Sequence, residues 1–225
     1  MTITLSVAAA GDEREAACYA NSFRQARFKR LLSVIDEILA EKDTCRILDV
    51  GGWTTYWQFL EPLWRGRPLH ITLVNLTTAP TPDERFSSLI GDARDLGQLH
   101  DSSFDLVHSN SVIEHVGLWR DQRAMADEIR RLAPRYFVQT PNYWFPIEPH
   151  LRTPFIHWLP EPWRVAIVRR RACGYYPRAQ SYAQAREILD DAKLLDAQAM
   201  SVLFPDALIE RERIAGLTKS LMAIR

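Results

Sequence analysis

Five short apolar runs, each stopped by a polar or glycine break and each separated by a helix-like stretch or loop, constrain this chain more than any other feature. They are CRILDV (45–50), ITLVNL (71–76), SSLIGD (87–92), FDLVHSN (104–110) and RYFVQT (135–140). Such runs read as strands, CRILDV and ITLVNL as buried ones and SSLIGD as a shorter and weaker one, as in a parallel sheet covered by helices. The helical stretches carry the complementary pattern. Phe28, Leu31, Leu32, Ile35, Ile38 and Leu39 recur at three- and four-residue steps, with Asn21 or Ser22 as the cap. A second stretch runs over about 56–65, and Asp121 opens a third, with Met125, Ile129 and Leu132 on one side. Alternating strands and helices imply βαβ crossovers and an α/β fold with a parallel sheet.

Composition narrows the class. The 225 residues, 25.9 kDa, fit one α/β domain, or a domain with a modest insertion. Twenty-eight basic and 28 acidic side chains cancel, which argues against a surface built for nucleic acid. No apolar run reaches the roughly 18 residues needed to span a bilayer. The opening MTITLSVAAAGDEREAA lacks a basic n-region, so no signal peptide is expected. Cys18, Cys45 and Cys173 are odd in number and form no CxxC pair, which points to a reducing compartment. The expectation is a cytoplasmic protein, with residues 1–18 a flexible arm and 19–225 one domain.

Residues 141–180 break the strand–helix rhythm with seven prolines and a dense set of Trp, Phe, Tyr and Arg. A connection this long is usually functional. Ser181 with Gln184 forms a capping box for a helix through about Leu194, and Asp196 caps a shorter one ending near Phe204-Pro205. ALIERERI (207–214) and SLMAIR (220–225) read as two final strands around a tight turn.

Ligands of an open parallel sheet bind at the carboxyl ends of its strands. The residues there are Asp49, Gly51 and Gly52 after the first strand, and Asn75 after the second. Asp92 and Ala93 follow the third; Asn110, Ser111 and then VIEHV follow the fourth. Two adjacent glycines between a buried strand and a helix let backbone approach a ligand closely.

Taken together, RILDVGG, ITLVNLT, GDARDL, SFDLVHSNSVIEHV, YFVQTPNYWFPIEPH and GLTKSLMAIR resemble the class I S-adenosylmethionine-dependent methyltransferases, most closely bacterial methylases of the methyltransferase-domain-11 type. The resemblance runs from about Asn21 to Arg225. It implies a Rossmann-like, doubly wound and mostly parallel seven-stranded sheet. The last strand would be antiparallel, and residues 141–195 would form a substrate-cap insertion after strand five. It implies S-adenosyl-L-methionine as cofactor and a small-molecule or lipid-like acceptor. By resemblance, Gly51, Gly52 and Asp49 shape the cofactor loop, Asp92 and Ala93 meet the adenine, and Asn110 and Ser111 meet the methionine end. Arg27, three residues from Arg24, is the candidate for the methionine carboxylate.

The chain departs from the family in two places. Relatives place an acid for the ribose hydroxyls about where Asn75 stands, and Trp53 and Thr55 replace further glycines. A neutral hydrogen bond is worth about 0.5–1.5 kcal/mol, against about 1.5–3 for a charged acceptor, so cofactor affinity is where the departures tell.

Methyl transfer from a sulfonium needs alignment more than acid or metal chemistry, but a hydroxyl or carbon nucleophile needs a base. His115 in IEHV and His150 in IEPH are the candidates, with Glu148 orienting His150 and Glu114 bonded to His115 or to backbone. His108, His115, His150 and His157 are too irregularly spaced for a metal set, so no metal is expected.

Between 151 and 178 six arginines face one acid, Glu161. Together with Phe155, Trp158 and Trp163 they suggest that 154–171 contacts a membrane surface, lies over the sheet as a lid, or forms a dimer interface. Two other functions fit the strand pattern. A nicotinamide-dependent oxidoreductase shares the glycine turn, but the chain has no G-x-G-x-x-G. A non-catalytic methyltransferase-like binding module is the other.

Overall fold

The computed structural model describes residues 22–225. The arm expected over 1–18, the Asn21 cap and the side chain of Ser22 lie outside what it describes.

The first helix, α1 (Ser22–Leu39), lays Phe28, Leu31, Leu32, Ile35 and Ile38 into the core, the stripe expected from their spacing. Each such side chain stabilises the fold by about 1.5–3 kcal/mol. β1 (Cys45–Val50) follows, then the short helices α2 (Thr54–Phe59) and α3 (Glu61–Trp64), which divide the single helical stretch expected there. Trp57 and Trp64 on these helices are fully buried, and the Trp64 indole N–H donates to the Trp57 carbonyl at 2.9 Å.

The remaining parallel strands are β2 (Leu69–Asn75), β3 (Phe86–Ile90), β4 (Leu106–Asn110) and β5 (Arg135–Pro141), with α4 (Trp119–Leu132) between β4 and β5. Asp121 does not begin α4. It sits in the first turn, and its Oδ2 accepts from the Leu118 N–H at 2.8 Å. All five residues from Tyr136 to Thr140 are buried, as a strand covered on both faces requires.

Beyond β5 the chain forms a two-stranded hairpin, β6 (Ile147–Glu148) and β7 (Thr153–Pro154). A 3₁₀ turn (Ile156–Trp158) and three α-helices follow: α5 (Glu161–Arg170), α6 (Tyr182–Asp190) and α7 (Ala197–Leu203). The Ser181 hydroxyl caps α6 by accepting from the Gln184 N–H, but Gln184 Oε1 takes the Gln180 N–H instead of closing the box onto Ser181. α6 ends at Asp190, four residues short of expectation, because Asp191–Lys193 turn to meet the site. Asp196 caps α7 through the Ala199 N–H as expected.

β8 (Leu208–Ile214) and β9 (Leu217–Ile224) complete a seven-stranded sheet of order β3-β2-β1-β4-β5-β9-β8, with β9 antiparallel to both neighbours. Ala215 and Gly216 between them both have positive φ, as the favoured two-residue hairpin turn demands. The edge strand β8 carries Glu210, Arg211, Glu212 and Arg213, charges that discourage pairing with another chain. Residues 142–195 hold a small apolar core of their own, built around Leu151, Ile156, Val165, Val168, Tyr176 and Leu189, beside the two cores flanking the sheet. Among the described residues no helix is long and apolar enough to cross a membrane.

Candidate active site

At the tip of β1 the chain turns sharply. Gly51 takes φ +73°, and a Cβ there would lie 2.5 Å from a Val112 methyl carbon. Gly52 rests directly on the Asp49 carboxylate, where a Cβ would fall 1.8 Å from Oδ2. Asp49 is buried and fully used inside the protein. Its Oδ2 accepts from the Trp57 indole N–H at 2.7 Å, and its Oδ1 lies 2.7 Å from His108 Nδ1. The two glycines therefore fit this turn because nothing larger passes over the carboxylate and Val112. Trp57 and His108 were invisible as partners, since neither stands near Asp49 in a recognisable motif.

Asn75 answers the missing acid. Its side-chain amine donates to the Gly52 carbonyl at 2.8 Å, a bond that a carboxylate cannot make. One acceptor oxygen remains on the same amide.

Gly51, Asn75, Asp92, Ala93, Val112 and His115 line one cavity of about 350 Å³ at the carboxyl ends of β1–β4, within the range of small-ligand sites. Trp53 is half exposed and does not line it. Asp92 is held by Arg94 through the guanidinium and the backbone N–H. The Arg94 guanidinium keeps the Asp92 carboxyl below the usual range, so it is an anion at the cavity wall.

Arg27, Asn110 and Ser111 do not line this cavity and form a separate network. Arg27 Nη1 donates to Asn110 Oδ1 and to Gln139 Oε1, both at 2.7 Å, while Nη2 pairs with Glu212 at 3.1 Å. Ser111, at φ +58°, donates its hydroxyl to the same Gln139 oxygen at 3.0 Å. With its carbonyl oxygen taken by Arg27, the Asn110 amide presents its amine elsewhere. Gln139 and Glu212, which organise this network, lie in β5 and β8 and carried no sequence signal.

The histidines meet. His115 closes a short 3₁₀ turn (Ile113–His115) after β4, and His150 stands at the tip of the β6–β7 hairpin. Their Nε2 atoms are 3.1 Å apart, and each ring is oriented from its far side. His115 Nδ1 lies 2.9 Å from the Asp191 carbonyl, and His150 Nδ1 lies 2.8 Å from Glu148 Oε1. Glu148 also accepts the Leu151 N–H, and Tyr176 donates to the Asp191 carboxylate. Gly174 lets the chain pass over the hairpin tip, for a Cβ there would fall 2.0 Å from the His150 carbonyl oxygen.

Burial works against charge on His115, but the Asp191 hydrogen bond and the nearby Glu114 charge outweigh it and raise its pKa to about 9. The bridging proton then belongs to His115, with His150 Nε2 as its acceptor. Glu114 is fully buried; burial pushes its carboxyl upward, one oxygen accepts from Thr140 at 2.9 Å, and Oε1 has no hydrogen-bond partner among the described residues. The Glu114 carboxylate thus accepts from the Thr140 hydroxyl, where a bond to His115 or to a backbone group was the expectation. His108 and His157 lie apart from this pair, His108 against Asp49 and His157 against the Tyr143 carbonyl.

A second cavity, of about 210 Å³, lies under residues 143–194 and is lined by Tyr143, Glu148, His150, Arg164, Tyr176 and Lys193 among others. His115 therefore faces the first cavity and His150 the second.

A family model described as "Methyltransferase domain" matches residues 67–135. No curated protein matches the chain in sequence. Among solved structures, the CurJ carbon methyltransferase aligns at TM-score 0.58 and 10% identity, over 94% of this chain and 57% of that one. A structure described as "PigF with SAH" aligns at 0.52 and 17%, over 96% and 64%. Haemonchus contortus phosphoethanolamine N-methyltransferase 2, in complex with phosphomonomethylethanolamine and S-adenosylhomocysteine, aligns at 0.50 and 16%, over 81% and 39%. The chain thus spans less than two thirds of the length of each of these three. The matched segment and the shared fold support the resemblance to class I S-adenosylmethionine-dependent methyltransferases.

Proposed function

We propose that this chain, with the class I methyltransferase fold and a methyltransferase-domain segment over 67–135, transfers a methyl group from S-adenosyl-L-methionine to a small-molecule or lipid-like acceptor. One observation carries the reading: the cavity at the strand tips and the cavity under residues 143–194 are lined by two histidines bonded to each other. A donor on one side and an acceptor on the other would meet at that pair.

The residues fit the donor. Gly51 brings backbone to the cavity without a side chain, and Asn75 offers its free carbonyl oxygen to a ribose hydroxyl. Asp92 offers lone pairs to an exocyclic amine beside the Ala93 N–H. Asn110 and Ser111 do not line the cavity themselves but directly precede Val112 of its wall, and they would have to turn toward it to take the methionine end. Arg27 acts there through Asn110, because Glu212 already occupies its other face. When bound, the donor supplies an activated methyl on sulfonium, and positioning alone contributes about 7–11 kcal/mol. His150, backed by Glu148, would take the acceptor's proton at Nε2 once the acceptor displaces the His115 N–H from that nitrogen; His115 carries its charge against Asp191 and Glu114. Residues 141–195 serve as the acceptor cap.

Calorimetry with S-adenosylmethionine, S-adenosylhomocysteine and NAD tests the reading. Binding of the first two supports it. NAD binding instead would make the chain an oxidoreductase, and no binding would leave a non-catalytic module. Labelled-methyl transfer into a metabolite or lipid extract would then identify the acceptor.

The cap's outer face favours a lipid-like acceptor and contact with a membrane through 154–171. Trp144, Phe155, Trp158 and Trp163 are exposed, as are Arg169, Arg170 and Arg171, and Trp158 packs against both Trp144 and Phe155. Co-sedimentation with anionic vesicles at low salt checks this, and absence of binding removes it.

A further inference from the structure

We infer that Glu114, His115 and His150 form a binding site for one divalent transition-metal ion of the zinc class. One carboxylate oxygen and one nitrogen from each ring lie within 4.8 Å of one another. Two nitrogens held about 2.0–2.1 Å from one ion at angles of about 90–109° stand about 2.9–3.4 Å apart. The observed Nε2–Nε2 separation is 3.1 Å.

The surroundings are those of a metal centre rather than of a chance histidine pair. Ligating histidines give their second ring nitrogen to a carboxylate or backbone carbonyl, which fixes tautomer and orientation. His150 has Glu148 in that position and His115 has the Asp191 carbonyl. Glu114 is buried with Oε1 unpartnered among the described residues, a costly state that a cation relieves. Only its other oxygen is tied, to Thr140, so the carboxylate swings inward as the ion binds. Two imidazoles and one carboxylate suit zinc, cobalt or iron(II) and leave coordination positions open.

On binding, the proton between the two rings leaves to solvent, and both Nε2 lone pairs become metal ligands. Sequence spacing hides this set, because the hairpin carrying His150 brings it to the 3₁₀ turn only in the folded protein. With an ion in place, the acceptor's nucleophile would be activated by coordination instead of by proton transfer to His150. That role rests on the methyl-transfer reading; ion binding itself does not.

The test uses the full chain stripped with chelator and titrated calorimetrically with zinc chloride, with no donor present. One ion per chain is expected. Cobalt(II) should give a visible d–d band. His150→Ala and Glu114→Gln should each weaken binding at least 100-fold, and Glu148→Gln by about 10–100-fold. Far-UV circular dichroism checks each variant's fold, and His150, at the hairpin tip, is the variant that leaves the core untouched. No ion bound by the parent chain, or a His150→Ala affinity within threefold of the parent's, overturns the site. A chain that binds zinc but not S-adenosylmethionine keeps the metal centre and loses the methyltransferase reading; the converse result does the opposite.

Discussion

The side-chain amine of Asn75 donates to the carbonyl of Gly52 at 2.8 Å, tying the tip of β2 to the turn after β1. Where an acid would serve a ribose alone, an amide serves both the turn and the cavity. Asn75→Asp should therefore not repair a defective site. It should destabilise the protein by about 1–3 kcal/mol, since the Gly52 carbonyl would lose its donor and face a charge. Equilibrium urea unfolding measures this, and equal or greater stability would mean that the bond does not hold the turn.

Asp92 separates binding from folding. Its pair with Arg94 is partly exposed, with side chains 35% and 44% accessible, and such pairs contribute about 0–1 kcal/mol. Asp92→Ala should leave the melting temperature nearly unchanged while S-adenosylhomocysteine affinity falls at least tenfold. Unchanged affinity in calorimetry would move the adenine elsewhere.

For Gly52 the expectation is structural failure. A methyl group 1.8 Å from Asp49 Oδ2 must displace a buried carboxylate that holds Trp57 and His108. Gly52→Ala should cost at least about 2 kcal/mol, in the range of overpacked or broken buried networks. A thermal melt within a degree or two of the parent would contradict it.

His150→Ala should lower kcat by about 10²–10⁴-fold, the usual contribution of a positioned base, with donor affinity unaltered. Single-turnover kinetics read the first and calorimetry the second. Equal losses in both would place His150 in donor binding.

Acid stability should depend on Asp105. Burial opposes its charge, but Lys42 and the Arg46 backbone N–H outweigh burial and hold its carboxyl below 3.8. A carboxyl lowered on folding adds stability that is complete above its unfolded value and disappears as pH falls through the folded one. Asp105→Asn should therefore lower the melting temperature at neutral pH and narrow the difference from the parent below about pH 3.8. A constant difference across that window would show that charge is not the cause.

Much of this was legible in the chain itself. An apolar run such as Tyr136–Thr140 is hidden from water on both faces of a covered sheet, and the spacing of Phe28, Leu31 and Ile35 fixes the buried face of α1. Strand order places Gly51, Asn75 and Asp92 at one edge, and the cavity there is lined by all three. What the side chains do at that edge was decided by folding. Asp49 turned inward to Trp57 and His108, and Arg27 joined Glu212 from the far end of the chain. His115 met His150 across 35 residues of sequence. Local periodicity encodes which face of an element is buried, because burial follows from the element's own repeat. The partner of a polar side chain depends on how distant elements dock and which rotamers that docking permits, and only the packed structure contains that information.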